Sequence, residues 1–194
     1  MDSQLSAIVE DLQAVEQRLR LLQGSLPRGI WCQPPAAGRW SPADCVAHLN
    51  LTSSTTLPLI REGLRDAANH GNRSAPSAPR YRRDIVGWVV WKLIAPSNAL
   101  RMRTIKAWVP AGGESPDTVM DDFARLQSEM IACVREADQL PIDRVTLRSP
   151  YDARLTCNLY AALTLIARHQ QRHVVQAERA AAGEGASELS PVTV

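Results

Sequence analysis

The sequence predicts an all-α protein, a bundle of four long helices in a single domain. Three observations support this prediction. Four stretches repeat apolar residues at helical spacing, proline-containing caps mark two helix starts, and strands do not alternate with helices along the chain. A chain of 194 residues that is 45% hydrophobic and 22% charged suits one domain with its own core. We assign the domain to residues 1–182 and predict a disordered tail over residues 183–194.

Apolar stripes identify the first and third long helices. The stripe of the first helix ends before Gly24 and consists of Leu5, Ile8, Val9, Leu12, Val15, Leu19 and Leu22. The third helix starts with the cap Ser115-Pro116-Asp117 and is expected to run to about Leu140. Its stripe consists of Val119, Met120, Phe123, Leu126, Met130, Ile131 and Val134.

The second helix has a marked start. Ser41 suits an N-cap, Pro42 suits the first helical position, and Asp44 completes a capping box, so the helix is expected from Pro42 to about Ala68. Pro58 should kink this helix or end it early, because proline removes one backbone hydrogen bond and its ring crowds the preceding turn.

An inserted segment at about residues 69–110 separates the second and third helices. Its first part is rich in Gly, Ser and Pro and is expected to form an exposed loop, and Arg82–Ala95 is expected to form a further helix. The last long helix is predicted over Leu155–Ala182, after a stretch of strand-like character at Arg144–Leu147.

Composition disfavours several classes of protein. A formal net charge of +2 is far below the basic bias of many nucleic-acid binders, so DNA or RNA is not an expected partner. The N-terminus lacks the pattern of a secretory signal, and we expect a cytoplasmic protein. No transmembrane helix is expected, because the longest apolar stretch, Ile85–Ala95, contains Lys92 and is shorter than the ~20 residues that span a bilayer.

The four cysteines form no Cys-x-x-Cys pair and are expected to be reduced. They are Cys32, Cys45, Cys133 and Cys157. Cys45 precedes His48 by three residues and can face the same pocket, although a small buried apolar residue is the commoner role of a free thiol.

Two histidines on the last helix form the most informative pattern. His169 and His173 are four residues apart, so their side chains lie on one helix face and their nitrogens can converge on one ion. Both share a face with apolar residues, where unsatisfied imidazoles would be costly and a metal would satisfy them. His48, near the capped start of the second helix, is the candidate for the third ligand, whereas His70 falls in the polar loop.

Two known metal motifs do not fit this pattern. Gln170 stands where the zincin motif His-Glu-x-x-His has its catalytic Glu. A di-iron bundle needs Glu-x-x-His, and none of the histidines has a Glu three residues before it. A site for a single ion is therefore favoured.

The chain resembles the DinB-like (YfiT-like) metalloenzymes over about residues 3–182. The resemblance rests on Trp40-Ser41-Pro42 followed by His48, and on His169 and His173 followed by Gln176; residues 69–110 depart from the family pattern. It implies a four-helix bundle in which three imidazoles hold zinc or nickel with open positions for water. It also implies an enzyme that is either a hydrolase or a transferase acting on a low-molecular-weight thiol.

The remaining pocket candidates are Gln176, Thr52, Cys45 and, more weakly, Asp44. Gln176 follows His173 by one turn and can orient it or contact a substrate. Because no acidic base stands beside the histidines, a second hypothesis stays open: a non-catalytic, stress-linked helical module for binding or dimerisation. In either case a homodimer is expected, since the Trp-rich insertion leaves apolar surface. The enzyme hypothesis implies a small-molecule substrate.

Overall fold

The protein is mainly α-helical, which confirms the all-α class. The structure, a computed structural model, describes residues 1–70, 81–97, 104–112, 115–150, 152 and 154–183. The helices are α1 (Ser3–Ser25), α2 (Arg28–Cys32), α3 (Pro42–His70), α4 (Ile85–Leu93), α5 (Pro116–Glu136) and α6 (Leu159–Ala181), with a 3-10 turn at Lys106–Trp108. A short antiparallel hairpin of β1 (Thr146–Arg148) and β2 (Thr156–Asn158) precedes α6. The predicted tail lies outside the described residues, apart from Gly183.

Four long helices build the core. α3 packs against both α5 and α6, and α1 packs against the same two helices. The apolar stripes predicted for α1 and α5 are buried, apart from the partly exposed Leu22. None of the described helices combines the length and hydropathy that crossing a bilayer requires.

Both predicted helix caps are confirmed. At the start of α3, Ser41 Oγ accepts a hydrogen bond from the Asp44 backbone N–H at 3.0 Å, and the Ser41 backbone N–H donates to Asp44 Oδ2 at 2.9 Å. Ser115 Oγ accepts from the Thr118 backbone N–H at the start of α5. These bonds satisfy backbone donors that have no partner within the first turn of a helix.

Three details differ from the sequence expectations. α3 runs through Pro58 to His70, close to the expected end at about Ala68, so of the two effects expected at Pro58, a kink or an early end, the early end is wrong. The Pro58 side chain lies on the exposed face, where water can satisfy the freed carbonyl. His70 accordingly ends α3 and does not belong to the loop. α6 begins at Leu159 because the preceding residues pair as β2, which the sequence analysis missed.

The predicted helix within the insertion is confirmed as α4. It is joined to α6 by Asp84, whose carboxylate accepts hydrogen bonds from the backbone N–H groups of Gly87 and Asn158, the N-cap residue of α6. The Trp91 ring lies against two guanidinium groups, with Arg83 Cζ at 4.5 Å and Arg168 Cζ at 3.6 Å from the ring centroid. These contacts fix α4 along one side of α6.

Close packing of α4 on α6 depends on Gly87. A Cβ added there would overlap the Cβ of Ala161. We predict that Gly87→Ala lowers the free energy of unfolding by about 1–3 kcal/mol, through overpacking. Gly24→Ala is the matched control, because Gly24 lies in α1 with nothing within 4 Å of the added Cβ. It should raise stability by about 0.4–1 kcal/mol. Equal changes in the free energy of unfolding of the two variants, measured by urea denaturation, would contradict the close approach of Gly87 to Ala161.

Candidate metal centre

Three histidines from two helices meet at one point. His48 lies near the start of α3, and His169 and His173 lie near the middle of α6. One ring nitrogen from each can be chosen so that all three lie within 4.8 Å of one another. The grouping predicted from the sequence therefore exists in the fold, because α3 and α6 pack side by side.

The Trp108 carbonyl sets the protonation of His48. His48 Nδ1 lies 2.8 Å from the Trp108 carbonyl oxygen, which can only accept a hydrogen bond. Nδ1 therefore carries the hydrogen, and a neutral His48 presents the lone pair of Nε2. His48 Nε2 lies 3.4 Å from His169 Nε2, and His173 Nε2 lies 3.1 Å from His169 Nε2.

The nitrogen separations suit a metal ion. Two imidazole nitrogens bound ~2.0–2.1 Å from a tetrahedral zinc lie about 3.3 Å apart. The two observed separations, 3.4 Å and 3.1 Å, bracket this value. A hydrogen on His169 Nε2 can be donated to only one of the two neighbouring nitrogens, His48 Nε2 or His173 Nε2. A cation among the three nitrogens would attract the lone pair of each. The residues present thus fit a divalent cation.

Burial keeps the imidazoles neutral. Desolvation lowers the pKa of His48, although its bond to the Trp108 carbonyl opposes the shift. Desolvation, with the neighbouring His48 and Arg172 charges, lowers the pKa of His169 to about 3. Burial also lowers the pKa of His173, aided by His169, His48 and Arg172. Neutral imidazole is the form that binds metals.

Aromatic and polar side chains surround the cluster. The Trp40 ring centroid lies 4.8 Å from that of His48 and 5.9 Å from that of His173. Trp108 donates its indole N–H to Thr55 Oγ1 at 3.3 Å, which holds the residue whose carbonyl orients His48. His173 Nδ1 is buried and makes no hydrogen bond to the part of the chain that the structure describes, although the Gln176 side chain is near enough to oppose the lowering of the His173 pKa.

The histidines line a cavity of about 500 Å³. This volume is in the range of small-molecule sites. Its walls come from α3, α4, α6, the hairpin and the segment around Trp108. The described lining includes no Asp or Glu, and its charged side chains are Arg148 and Arg172.

The pocket candidates fall in different places. Gln176 lines the cavity, whereas Cys45 and Thr52 are not among the described lining residues. Cys45 is fully buried in the core, and burial raises the pKa of its thiol. Thr52 Oγ1 donates to the Leu49 carbonyl. Asp44 is engaged in the capping box.

The His70 side chain lies outside the described part of the chain. Sequence reasoning missed two contributors to the site. Trp108 acts through its backbone carbonyl, which no residue type encodes. Arg172 lies between the two α6 histidines, and its helical spacing from Ala162, Leu165 and His169 was the available signal.

The fold and the site define a helical protein with a candidate three-histidine metal centre. Residues 11–177 match the model of the DinB superfamily, so the chain belongs to this superfamily. No curated protein and no solved structure matches the chain.

The geometry predicts metal uptake that depends on His169. Protein purified without a metal-affinity column should contain near-stoichiometric zinc or nickel by elemental analysis. His169→Ala should lower the content about tenfold or more, because two imidazoles remain. Zinc at ~1,000 times its Kd should stabilise the wild type by about 4 kcal/mol. Gln171→Ala, in the same helix but outside the described cavity lining, is the control and should retain the metal. A wild type that takes up neither metal would contradict the prediction.

The metal-free protein should lose stability in acid. Because burial lowers the pKa of all three imidazoles below the ~6.5 of unfolded histidine, the unfolded chain binds more protons below that pH. The contribution of the neutral imidazoles to the free energy of unfolding is fully present above pH ~6.5 and falls as the pH drops toward about 3, the pKa of His169. Urea denaturation in the presence of a chelator measures the slope of the free energy of unfolding against pH. His169→Ala should make it shallower by about 1.4 kcal/mol per pH unit. A wild-type free energy of unfolding that does not change with pH in this range would contradict the burial of neutral imidazoles.

Proposed function

We propose that the protein is a metal-dependent enzyme whose reaction is transfer of a low-molecular-weight thiol. In this proposal residues 1–182 form a DinB-type four-helix bundle, with residues 69–110 as the insertion. His48, His169 and His173 hold zinc or nickel. The observation that carries the proposal is the convergence of three neutral imidazole nitrogens on the wall of a substrate-sized cavity.

An open three-histidine site suits catalysis, since structural zinc sites are usually closed by four protein ligands. When bound, a divalent cation would polarise a substrate and lower the pKa of a thiol or a water molecule beside it. The protein surroundings then distinguish between thiol transfer and hydrolysis.

The lack of a lining carboxylate favours the thiol. Hydrolysis generally uses a side chain that takes a proton from water, and the described lining has no Asp or Glu for this role. A thiol has a pKa near 8.5 and can lose its proton to solvent without such a base. The buried Arg172 guanidinium, whose charge lowers the pKa of both α6 histidines, would stabilise the thiolate.

Two other residues have positioning roles in this proposal. Trp108 orients the His48 ring by accepting the Nδ1 hydrogen, as partners of metal-binding histidines commonly do. Gln176 lines the cavity one turn after His173 and either orients that ring or contacts the substrate.

The exposed side of α4 favours a second candidate function. Ile85 and Trp88 are 82% and 52% exposed, and Val89 and Leu93 add to the same apolar surface. Such surface commonly marks an interaction site. It supports a homodimer, and it also supports the alternative that the protein is a non-catalytic binding or dimerisation module that retains a metal for stability.

Activity with and without metal tests these alternatives. Zinc-loaded protein should accelerate the reaction of cysteine or glutathione with a chlorinated electrophile about tenfold or more; the sulfur displaces chloride, and the thiol proton goes to solvent. Chelation and His169→Ala should abolish the acceleration, and the control Gln171→Ala should retain it. Hydrolysis of a nitrophenyl ester that requires zinc and His169 would favour the hydrolase. Bound zinc without either activity would favour the non-catalytic module.

A further inference from the structure

The cavity beside the three histidines is elongated. On α6 its lining residues run from Ala162 to Gln176, a separation of about 21 Å at the rise of an α-helix. On α3 they run from His48 to Ile60, about 18 Å. The histidines occupy one end. The hairpin lines the other, because β2 leads directly into the start of α6 and Leu147 lies against Gly63, one turn beyond Ile60 on α3. A long molecule suits this shape better than a compact one.

The middle of the cavity is aliphatic. α4 contributes Val86, Val90 and Leu93, and α6 contributes Leu165 and Ile166. The aromatic lining residues, Trp40 and Trp108, lie at the histidine end. Flexible aliphatic walls favour an alkyl chain, whose burial is worth about 0.8 kcal/mol for each CH₂ group.

The charge beside the histidines is positive. Arg172 is only 7% exposed, and its Nη1 donates to the Ala95 carbonyl at 3.0 Å, which holds the guanidinium between α6 and the end of α4. Arg172 lies within one turn of both His169 and His173 on α6, and all three side chains line the same cavity. Arg148, the other lining arginine, is exposed and comes from the hairpin. Beside the histidines, an anionic head group is therefore favoured over a cationic one.

We infer that the cavity binds an anionic amphiphile, with the alkyl chain along α4 and α6 and the anionic group beside Arg172 at the histidines. This inference names the substrate class of the proposed enzyme and rests on that proposal for the reacting centre. Its binding contacts, however, come from the cavity walls and can be tested without turnover.

Calorimetric titration of the zinc-loaded protein with decanoate tests the inference. Butyrate should bind at least about a hundredfold more weakly, because six CH₂ groups are missing. Decyltrimethylammonium has a similar chain and the opposite charge, and it should also bind much more weakly. Decanoate that binds no tighter than either probe would overturn the inference.

Adjacent residues of α4 supply a matched pair of variants. Val90→Trp fills the cavity and should weaken decanoate binding about tenfold or more. Val89→Trp makes the same change at a 42% exposed residue that is not among the described lining, and it should leave binding unchanged. Leu165→Trp repeats the test from α6 if Val90→Trp fails to fold. Equal binding by blocked and control variants would place decanoate elsewhere and overturn the inference.

The two lining arginines locate the anionic group. Arg172→Gln should weaken decanoate binding about tenfold, and Arg172→Lys, which retains the charge, should weaken it less. Arg148→Gln should have no effect. The reverse pattern would overturn the placement of the anion at the histidines.

Titrating metal-free protein separates this inference from the proposed function. If elemental analysis finds no metal uptake but decanoate binding retains its dependence on Val90 and Arg172, the metal-dependent enzyme fails and the amphiphile site stands. If zinc binds stoichiometrically but neither form prefers decanoate to butyrate, the amphiphile site fails and the metal centre stands.

Discussion

The hydrogen bond between His48 and the Trp108 carbonyl is the interaction on which the site depends. It fixes the hydrogen on Nδ1 and so turns the Nε2 lone pair toward His169. Trp108 is held in turn by the hydrogen bond from its indole N–H to Thr55, about two turns further along α3 than His48. The insertion therefore contributes to the candidate site, because its 3-10 turn at Lys106–Trp108 supplies the carbonyl that accepts the hydrogen bond of His48.

A second set of polar contacts keeps α6 in rotational register. Gln127 of α5 and Gln170 of α6 exchange two amide hydrogen bonds of 2.8 and 2.9 Å, and Gln127 also donates to the Leu12 carbonyl of α1. Both amides are buried, so a rotation of α6 that broke the pair would leave buried polar groups without partners. Gln170 thus has a structural role in the core, which accounts for an amide where the zincin motif has a general base.

Local signals predicted most of the fold. The caps at Ser41 and Ser115 and the apolar stripes identified the long helices, because capping and periodicity act within a few residues. Propensity alone did not distinguish a kink at Pro58 from an early end of α3, because tertiary packing on both flanks can offset the loss of one hydrogen bond. The histidine set was predicted from i, i+4 spacing and resemblance. Its setting was not, because the Trp108 carbonyl and the course of α4 depend on contacts between distant segments.

The histidines and much of the aliphatic wall of the cavity come from different helices, which explains how the site of one superfamily member can acquire its own substrate. α3 and α6 bring the histidines together, but α4 supplies much of the aliphatic wall beside them. α4 is fixed by the Asp84 carboxylate, by Gly87 against Ala161, and by Trp91 between two guanidinium groups. None of these contacts involves a candidate metal ligand. Changes in α4 can therefore alter the length and polarity of the cavity without disturbing the three imidazoles, so the aliphatic wall and the candidate metal ligands are encoded in separate parts of the chain.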